Sequence, residues 1–346
     1  MNTALRLPQR DLASSTAETP SFHLAVADQV DDDAMLGQFI PIHYHYQMLN
    51  QEQRTGPFEE AIGTVVKKGM KVVELGGGTG VLSFFAARAG AAKVYCVERA
   101  PHVAAAAHRF LTANGVADRV VVINTDANLY LPPEPVDVVI CEMLHTAMLR
   151  EKQMSVIASF KKRYLARFGG PLPIFLPEAA VLAVQPVDTD FSFHGYEASV
   201  PMFIDGERAQ SRVTARADRS LFASFLYGDE YSNVLALDVR VTVRQSGRIN
   251  SLRFTHKNLL AIIESEARSI DWDMHELVLP LTTPIHVTAG EEIHVRFRYE
   301  AGDSLLSLAA AIEAFPGANP KDGANPTATA AIAPATPPIS AIRQKA

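Results

Sequence analysis

The stretch KVVELGGGTGVLSFFAARAG, residues 71–90, decides the fold of this 346-residue chain. A short apolar strand (71–75) runs directly into GGGTG (76–80), and a helix pattern follows and ends at Gly90. Glycines at a strand-to-helix turn allow a tight bend and let a ligand approach the backbone closely. The stretch therefore predicts either a cofactor-binding turn or a turn that is rich in glycine for packing alone.

Strand and helix patterns keep alternating after this turn. Apolar strands are expected at 93–98, 119–127 and 136–142, with an Ala-rich helix at 102–115. Nearly continuous apolar strands separated by helices predict an α/β, Rossmann-like parallel sheet that is covered on both faces. After about Pro173 the segments are rich in Val, Leu and Ile with turns between them, which predicts an antiparallel β-barrel or sandwich. We counted 303–313, DSLLSLAAAIE, among these β segments.

Five segments are expected along the chain. The tail is dominated by Ala, Pro and Thr, which cannot bury enough surface to offset the entropy cost of ordering it. The expected segments are a flexible N-terminus (1–25), a helical lead-in that covers the cofactor (26–57), the α/β domain (58–172), the β domain (173–315) and a disordered tail (316–346).

Composition excludes some function classes. The net charge of −6 and the pI near 6.0 provide no global basic field for nucleic acid or anionic membranes. Because no run of about 18 apolar residues and no secretory signal is present, we expect a soluble cytoplasmic protein. Cys96 and Cys141 fall in predicted buried strands, which favours reduced core thiols over a disulfide or metal pair.

The glycine turn has a partner one strand later. Glu98 ends the next strand, 20 residues after Gly78, where a carboxylate can bind both hydroxyls of a ribose. The run lacks the third glycine of the dinucleotide fingerprint G-x-G-x-x-G. Instead, E-x-G-x-G-x-G, which includes Glu74, Gly76 and Gly78, resembles the motif of class I S-adenosylmethionine (SAM) methyltransferases. That resemblance implies SAM as the cofactor and places Asp126, Ala127 and Asn128, after the third strand, near the adenine.

Two glutamates bracket the loop CEMLHTAMLRE, residues 141–151. This loop follows a central strand, at the edge where open α/β sheets bind ligands. Two carboxylates can bind the N–H groups of a planar guanidinium bidentately. Glu142 and Glu151 match the spacing of the two catalytic glutamates of protein arginine methyltransferases, which the loop resembles. The competing interpretation is a pair of solvated loop acids.

The resemblance to that family extends over about residues 35–312. HYQMLNQEQRT (45–55) is similar to its segment before the α/β domain, which implies that His45, Met48 and Arg54 close over SAM with Arg54 on its carboxylate. VTAGEEI (287–293) resembles another family segment in the β domain. A metal site at His43 and His45 is the alternative, but no Cys, His or acidic set at metal spacing accompanies them.

The sequence departs from the family around the acceptor. Met35, Leu36 and Phe39 stand where the family has its Y-F-x-x-Y helix, so both tyrosine hydroxyls are missing. Asp271 replaces the histidine of its T-H-W loop, before Trp272, and is either a third carboxylate for a cationic acceptor or a surface acid.

Three functions remain open after these departures. The first is a SAM-dependent methyltransferase acting on a guanidino nitrogen of a protein or small molecule. The second is a methyltransferase of the same fold that acts on an amine, hydroxyl or carbon, and the third is a SAM-binding interaction protein without turnover.

Residues 194–233 lie where the family inserts its dimerisation arm, which implies a homodimer. The apolar side chains of this segment could form a helix face for a second subunit, or the segment could be a long loop over its own barrel. Those side chains are Met202, Phe203, Leu221, Phe222, Phe225 and Leu226.

Overall fold

The computed structural model describes residue 40 and residues 42–317. Five parallel strands form one sheet in the order β3-β2-β1-β4-β5. The strands are β1 Lys71–Leu75, β2 Lys93–Glu98, β3 Val120–Asn124, β4 Val138–Cys141 and β5 Ile174–Leu176. The helices before and between them are α1 His45–Leu49, α2 Glu52–Val65, α3 Val81–Arg88, α4 Pro101–Ala113 and α5 Gln153–Phe168.

The parallel order of these five strands confirms the predicted Rossmann-like sheet. The sheet forms because its strands are apolar along both faces. In β1, Val72, Val73 and Leu75 are fully buried, as expected for a central strand covered by helices. The sheet extends four residues past the predicted boundary at 172, since β5 pairs with β4. The boundary was predicted from the change in composition after about Pro173, whereas the short run that follows this proline completes the parallel sheet.

The second half is antiparallel β structure, as predicted. One sheet has the order β10-β6-β13-β15-β9, with β11 paired to β6 and β14 paired to β13, and a second has the order β12-β16-β17. The strands are β6 Ala179–Thr189, β7 Ser192–Phe193, β8 Tyr196–Glu197, β9 Met202–Ile204, β10 Val213–Ala215, β11 Ser220–Leu226, β12 Val234–Thr242, β13 Gly247–Ile263, β14 Arg268–Asp273, β15 Glu276–Val287, β16 Glu292–Glu300 and β17 Glu313–Pro316. Two short helices, α6 Gly206–Arg212 and α7 Leu305–Ala311, interrupt them.

The prediction of a strand within 303–313 was wrong. Most of this segment is α7, whose N-terminus is capped by the Ser304 side chain accepting a hydrogen bond from the Ser307 N–H. Leu and Ala are strong helix formers, and Leu308 alone of the helix is buried. Pro316, the first residue of the predicted tail, still pairs with β16, and the rest of the tail lies outside the described residues, as does the predicted flexible N-terminus.

The predicted helix face within 194–233 is instead largely strand. Phe222, Phe225 and Leu226 lie on β11 and are buried within their own barrel, where Phe222 packs edge-on against Phe297 with ring centroids 5.2 Å apart. Leu221 remains 62% exposed. The segment's role as a dimerisation arm stays a prediction.

No helix among residues 42–317 has both the length and the apolar composition needed to cross a membrane.

Candidate functional site

The glycine turn between β1 and α3 forms a cradle for a ligand. Gly76 and Gly78 both have positive φ, at 81° and 53°, which side-chain-bearing residues rarely adopt. A Cβ on Gly78 would come within 2.9 Å of the His45 ring, and one on Gly76 within 2.7 Å of the Met143 side chain. Glycine is therefore needed both for the backbone conformation and for the closeness of its neighbours.

Glu98 faces this turn from the end of β2, as predicted for a ribose-binding carboxylate. Its two oxygens accept hydrogen bonds from the Gly78 N–H at 2.9 Å and the Ala100 N–H at 2.7 Å. Each carboxylate oxygen has a second lone pair, so the group can still accept hydrogen bonds from a ribose.

The residues after β3 form a compact turn at the same edge of the sheet. Asp126 accepts hydrogen bonds from the Asn128 backbone at 2.8 Å and the Asn128 side chain at 3.1 Å, and Ala127 is buried. Both Asp126 and Asn128 line the large cavity described below. These contacts bring the predicted adenine-binding residues to the site.

Glu74 lies behind the glycine turn rather than at its surface. It is 2% exposed, and its carboxylate accepts hydrogen bonds from the Ser83 N–H at 3.0 Å and from the Ser83 hydroxyl. Burial raises the pKa of Glu74 to about 8. Its bonds tie the strand to the first turn of α3, so it supports the cradle from within.

The lead-in helices cover the cradle. His45, the first residue of α1, packs over Gly78, and burial lowers its pKa. Met48 on α1 is half-buried and lines the cavity. Phe39, the predicted acceptor contact, lies outside the described residues, as do Met35 and Leu36.

Arg54 on α2 contacts the acceptor side of the site. Its guanidinium forms a hydrogen-bonded ion pair with the Glu142 carboxylate and lies over the Trp272 ring, 5.4 Å from the centroid. The predicted contact with the SAM carboxylate stays a prediction. The observed ion pair shows that Arg54 connects helix α2 to Glu142, the first of the two glutamates.

Glu142 and Glu151 line the same cavity and are half-buried rather than exposed on a loop. The Glu142 side chain is 9% exposed, and its Oε1 atom has no hydrogen-bond partner among the described residues. Burial raises the pKa of Glu142, whereas Arg54 opposes the increase. Burial, and next the charge of Glu142, raise the pKa of Glu151 to about 8. Because the charge of Glu142 makes Glu151 harder to ionise, a cation at this place in the cavity would be favourable.

Asp271 and Trp272 lie on β14 at the rim of the cavity. Asp271 is part of this strand and not of a surface loop. Its carboxylate forms a salt bridge with the Lys257 ammonium group at 3.1 Å, which neutralises part of its charge. Trp272 is 9% exposed and packs edge-on against Phe58, with ring centroids 5.8 Å apart. Trp272 thus forms a wall of the site beside Arg54.

Several side chains at the site were missed by the sequence analysis. The Gln153 side chain accepts a hydrogen bond from the Met143 N–H at 2.9 Å and so holds the start of the glutamate loop. His145 and His256 line the cavity, and burial lowers the pKa of each to about 4, so both are neutral near pH 7. A histidine in the middle of a strand, such as His256, has no local signature, so no sequence signal could have identified it.

One cavity of about 1680 Å³ is lined by the glycine turn, Glu98, Arg54, the two glutamates and Trp272, together with residues from strands of the barrel. Within residues 42–317, no group of three or more His, Cys, Asp or Glu side chains is arranged to hold a metal ion. Cys96 and Cys141 are buried and unbridged. Both the glycine turn and the two glutamates thus line the same cavity.

Sequence comparisons agree with this geometry. Residues 59–162 match the family model of the ribosomal protein L11 methyltransferase (PrmA). The chain is 31% identical over 175 residues to protein arginine N-methyltransferase 2 of Dictyostelium discoideum, covering 50% of this chain and 33% of that protein. It is 34% identical over 176 residues to an uncharacterized protein of Methanothermobacter thermautotrophicus, covering 51% of this chain and 66% of that protein. The matched part spans between a third and two thirds of these relatives.

Solved structures share the fold. A Trypanosoma brucei protein arginine methyltransferase 1 enzyme–prozyme heterotetrameric complex with AdoHcy aligns with a TM-score of 0.61 at 20% identity, covering 79% of this chain and 97% of that chain. Arabidopsis thaliana protein arginine methyltransferase 10 aligns with a TM-score of 0.62 at 18% identity, covering 75% and 88%. The predicted resemblance is confirmed: the chain is similar in sequence to protein arginine N-methyltransferases and shares the fold of two solved protein arginine methyltransferases.

Proposed function

We propose that this protein is a SAM-dependent N-methyltransferase that methylates a guanidino nitrogen of an arginine-type acceptor. The observation that carries the proposal is the burial of Glu142 and Glu151 in the cavity that also contains the glycine cradle. Burial of two carboxyl groups is costly unless a cation neutralises them, and a guanidinium is a cation that both can bind through hydrogen bonds.

The cofactor half of the site fits SAM. The turn at Gly76 and Gly78 lines the cavity, and Glu98 and Asp126 offer carboxylates where a ribose and an adenine would lie. When bound, SAM supplies an activated methyl group on its sulfonium centre. His45 and Met48 cover the cradle and would exclude water from it.

The acceptor half of the site orients a cation. The unpartnered Oε1 of Glu142 and the carboxylate of Glu151 would accept hydrogen bonds from guanidinium N–H groups, which turns the remaining nitrogen toward the cradle. Arg54 pairs with the other oxygen of Glu142 and opposes the rise in the pKa of that carboxyl group. Neutral His145 and His256 add no competing positive charge at pH 7.

The test is methyl transfer from labelled SAM to arginine-containing peptides, free arginine and simple amines. The wild-type protein should label at least one guanidino acceptor, and Glu142→Gln and Glu151→Gln should each abolish labelling while still binding S-adenosylhomocysteine. Glu197→Gln is the matched control, because Glu197 is exposed on β8 and lies away from the cavity. If both glutamine variants label the acceptor at the wild-type rate, Glu142 and Glu151 do not bind its guanidinium group during methyl transfer.

One observation favours a second candidate, methylation of an amine. Because Arg54 already occupies one oxygen of Glu142, Glu151 could act alone as a general base, and its pKa of about 8 suits that role. This candidate predicts that Glu151→Gln is inactive and that Glu142→Gln retains substantial activity toward an amine acceptor.

We further propose that the protein acts as a homodimer through residues 194–233. Support comes from the exposed apolar side chains that remain on this segment, among them Val200, Phe203 and Leu221.

A further inference from the structure

The loop between the two glutamates has an unfavourable backbone conformation. Ala147, Met148 and Arg150 have φ values of 57°, 56° and 61°, so three residues with side chains adopt the left-handed conformation within four positions. This conformation brings the Cβ close to the backbone and is unfavourable for residues other than glycine. Such a cluster persists only when the surrounding structure holds it in place.

The β-barrel supplies the contacts that hold this loop. The Tyr299 hydroxyl, on β16, donates a hydrogen bond to the Ala147 carbonyl at 2.7 Å. The turn after β16 continues the contact, since the Gly302 N–H donates to the Met148 carbonyl at 2.7 Å and the Arg150 N–H donates to the Asp303 carbonyl at 2.8 Å. Each of the three left-handed residues therefore has a backbone group bonded to residues 299–303.

The turn at residues 300–303 is itself well defined and packs closely on Glu151. The Asp303 carboxylate accepts a hydrogen bond from the Glu300 N–H at 2.9 Å, which closes the turn. A Cβ on Gly302 would lie 3.6 Å from the Glu151 carbonyl. Since Arg150 is bonded to this turn and Glu151 follows it directly, the turn sets where the Glu151 backbone lies.

We propose that Tyr299 and the turn at residues 300–303 are positioning residues that hold the strained loop so that Glu151 faces the acceptor beside Glu142. This inference rests on the proposed function. It assigns the barrel a catalytic task that does not depend on which acceptor binds. A displacement of about 1 Å in a catalytic group can lower the rate by up to about 100-fold, so loss of one such contact has a measurable effect.

The test combines a hydroxyl deletion with relief of the strain. Tyr299→Phe keeps the ring but removes the bond to Ala147, and we expect kcat to fall about 10-fold or more while the affinity for S-adenosylhomocysteine stays unchanged. Ala147→Gly, added to Tyr299→Phe, should restore most of kcat, because glycine adopts positive φ without strain and needs less support. The Tyr164→Phe control described next separates this effect from a general loss of stability.

Tyr164→Phe is the matched control. The Tyr164 hydroxyl is also buried and also bonds a backbone carbonyl, that of Val136 at 3.2 Å, but on the α/β domain. It should lower the melting temperature by a similar amount and leave kcat unchanged.

Amide hydrogen exchange over residues 143–152 provides a readout that does not need turnover. Exchange should accelerate about tenfold in Tyr299→Phe, return toward the wild-type rate in the double variant, and stay unchanged in Tyr164→Phe. If Tyr299→Phe changes neither the exchange of this loop nor kcat beyond the control, the positioning role is excluded. If wild-type protein transfers no methyl group at all, the proposed function fails, and the exchange data still decide whether Tyr299 holds the loop.

Discussion

Replacing Glu151 by glutamine should raise the free energy of unfolding and abolish methyl transfer. The gain in stability should depend on pH, because it arises from the ionisation of Glu151. The pKa of Glu151 rises from 4.5 to about 8 on folding, so the folded protein holds this proton more tightly than the unfolded chain. The resulting stabilisation is fully present below about pH 4.5 and is lost as pH rises to about 8. Above that pH, ionised Glu151 costs the folded protein up to about 5 kcal/mol, since the shift of about 3.5 pKa units corresponds to 1.36 kcal/mol for each unit.

Glutamine mimics the neutral carboxyl group and removes that cost. At pH 8.5 we expect Glu151→Gln to unfold with a free energy higher by about 2–4 kcal/mol, since access of water reduces the full value. At pH 4.5 the two proteins should differ by less than about 1 kcal/mol. Loss of one arm of the clamp should lower methyl transfer by about 10²–10³-fold, equivalent to about 3–4 kcal/mol of transition-state stabilisation.

The assay measures urea unfolding at pH 4.5 and 8.5, together with transfer from labelled SAM and calorimetric binding of S-adenosylhomocysteine. Glu197→Gln should change none of these quantities. A Glu151→Gln protein that is less stable than wild type at pH 8.5 would show that Glu151 is not a buried, uncompensated carboxyl group. Transfer at the wild-type rate would show that it does not bind the acceptor.

Four further predictions follow from the same site. Glu142→Gln should lose activity and also stability, because Arg54 then keeps no charged partner, and the same unfolding measurements check this. Glu98→Ala should weaken S-adenosylhomocysteine binding by about 1–3 kcal/mol, measured by calorimetry, and reduce the thermal shift that the ligand causes; unchanged affinity would place the ribose elsewhere. The rate of methyl transfer should rise with pH through about 8, since the acceptor cation needs ionised Glu151, and a flat profile between pH 6 and 9 would contradict that assignment. Light scattering should give twice the monomer mass, and Leu221→Glu should produce a monomer, whereas a wild-type monomer at high concentration would count against the dimer.

The parallel sheet and the glycine turn that faces Glu98 could be predicted because their signals are local. Gly76, Gly78 and Glu98 act through positions close in sequence, where chain geometry alone brings a turn next to a strand end. The prediction for 303–313 was wrong because a short apolar run fits a strand and a helix equally well. The segment forms a helix because Ser304 caps its N-terminus and because Leu and Ala are strong helix formers.

By itself, the sequence determined the class of fold, because strand-turn-helix periodicity is a property of the chain. It also singled out the glycine turn and the two glutamates as candidate site residues, since their spacing can be read directly from the chain. Only the tertiary structure decided what surrounds the glutamates. It paired Glu142 with Arg54, which is 88 residues away, and bonded the loop to Tyr299, which is 152 residues from Ala147. Contacts between residues so far apart in sequence form only when the chain folds and its distant segments pack together. The same packing shields Glu151 from water, and this raises its pKa.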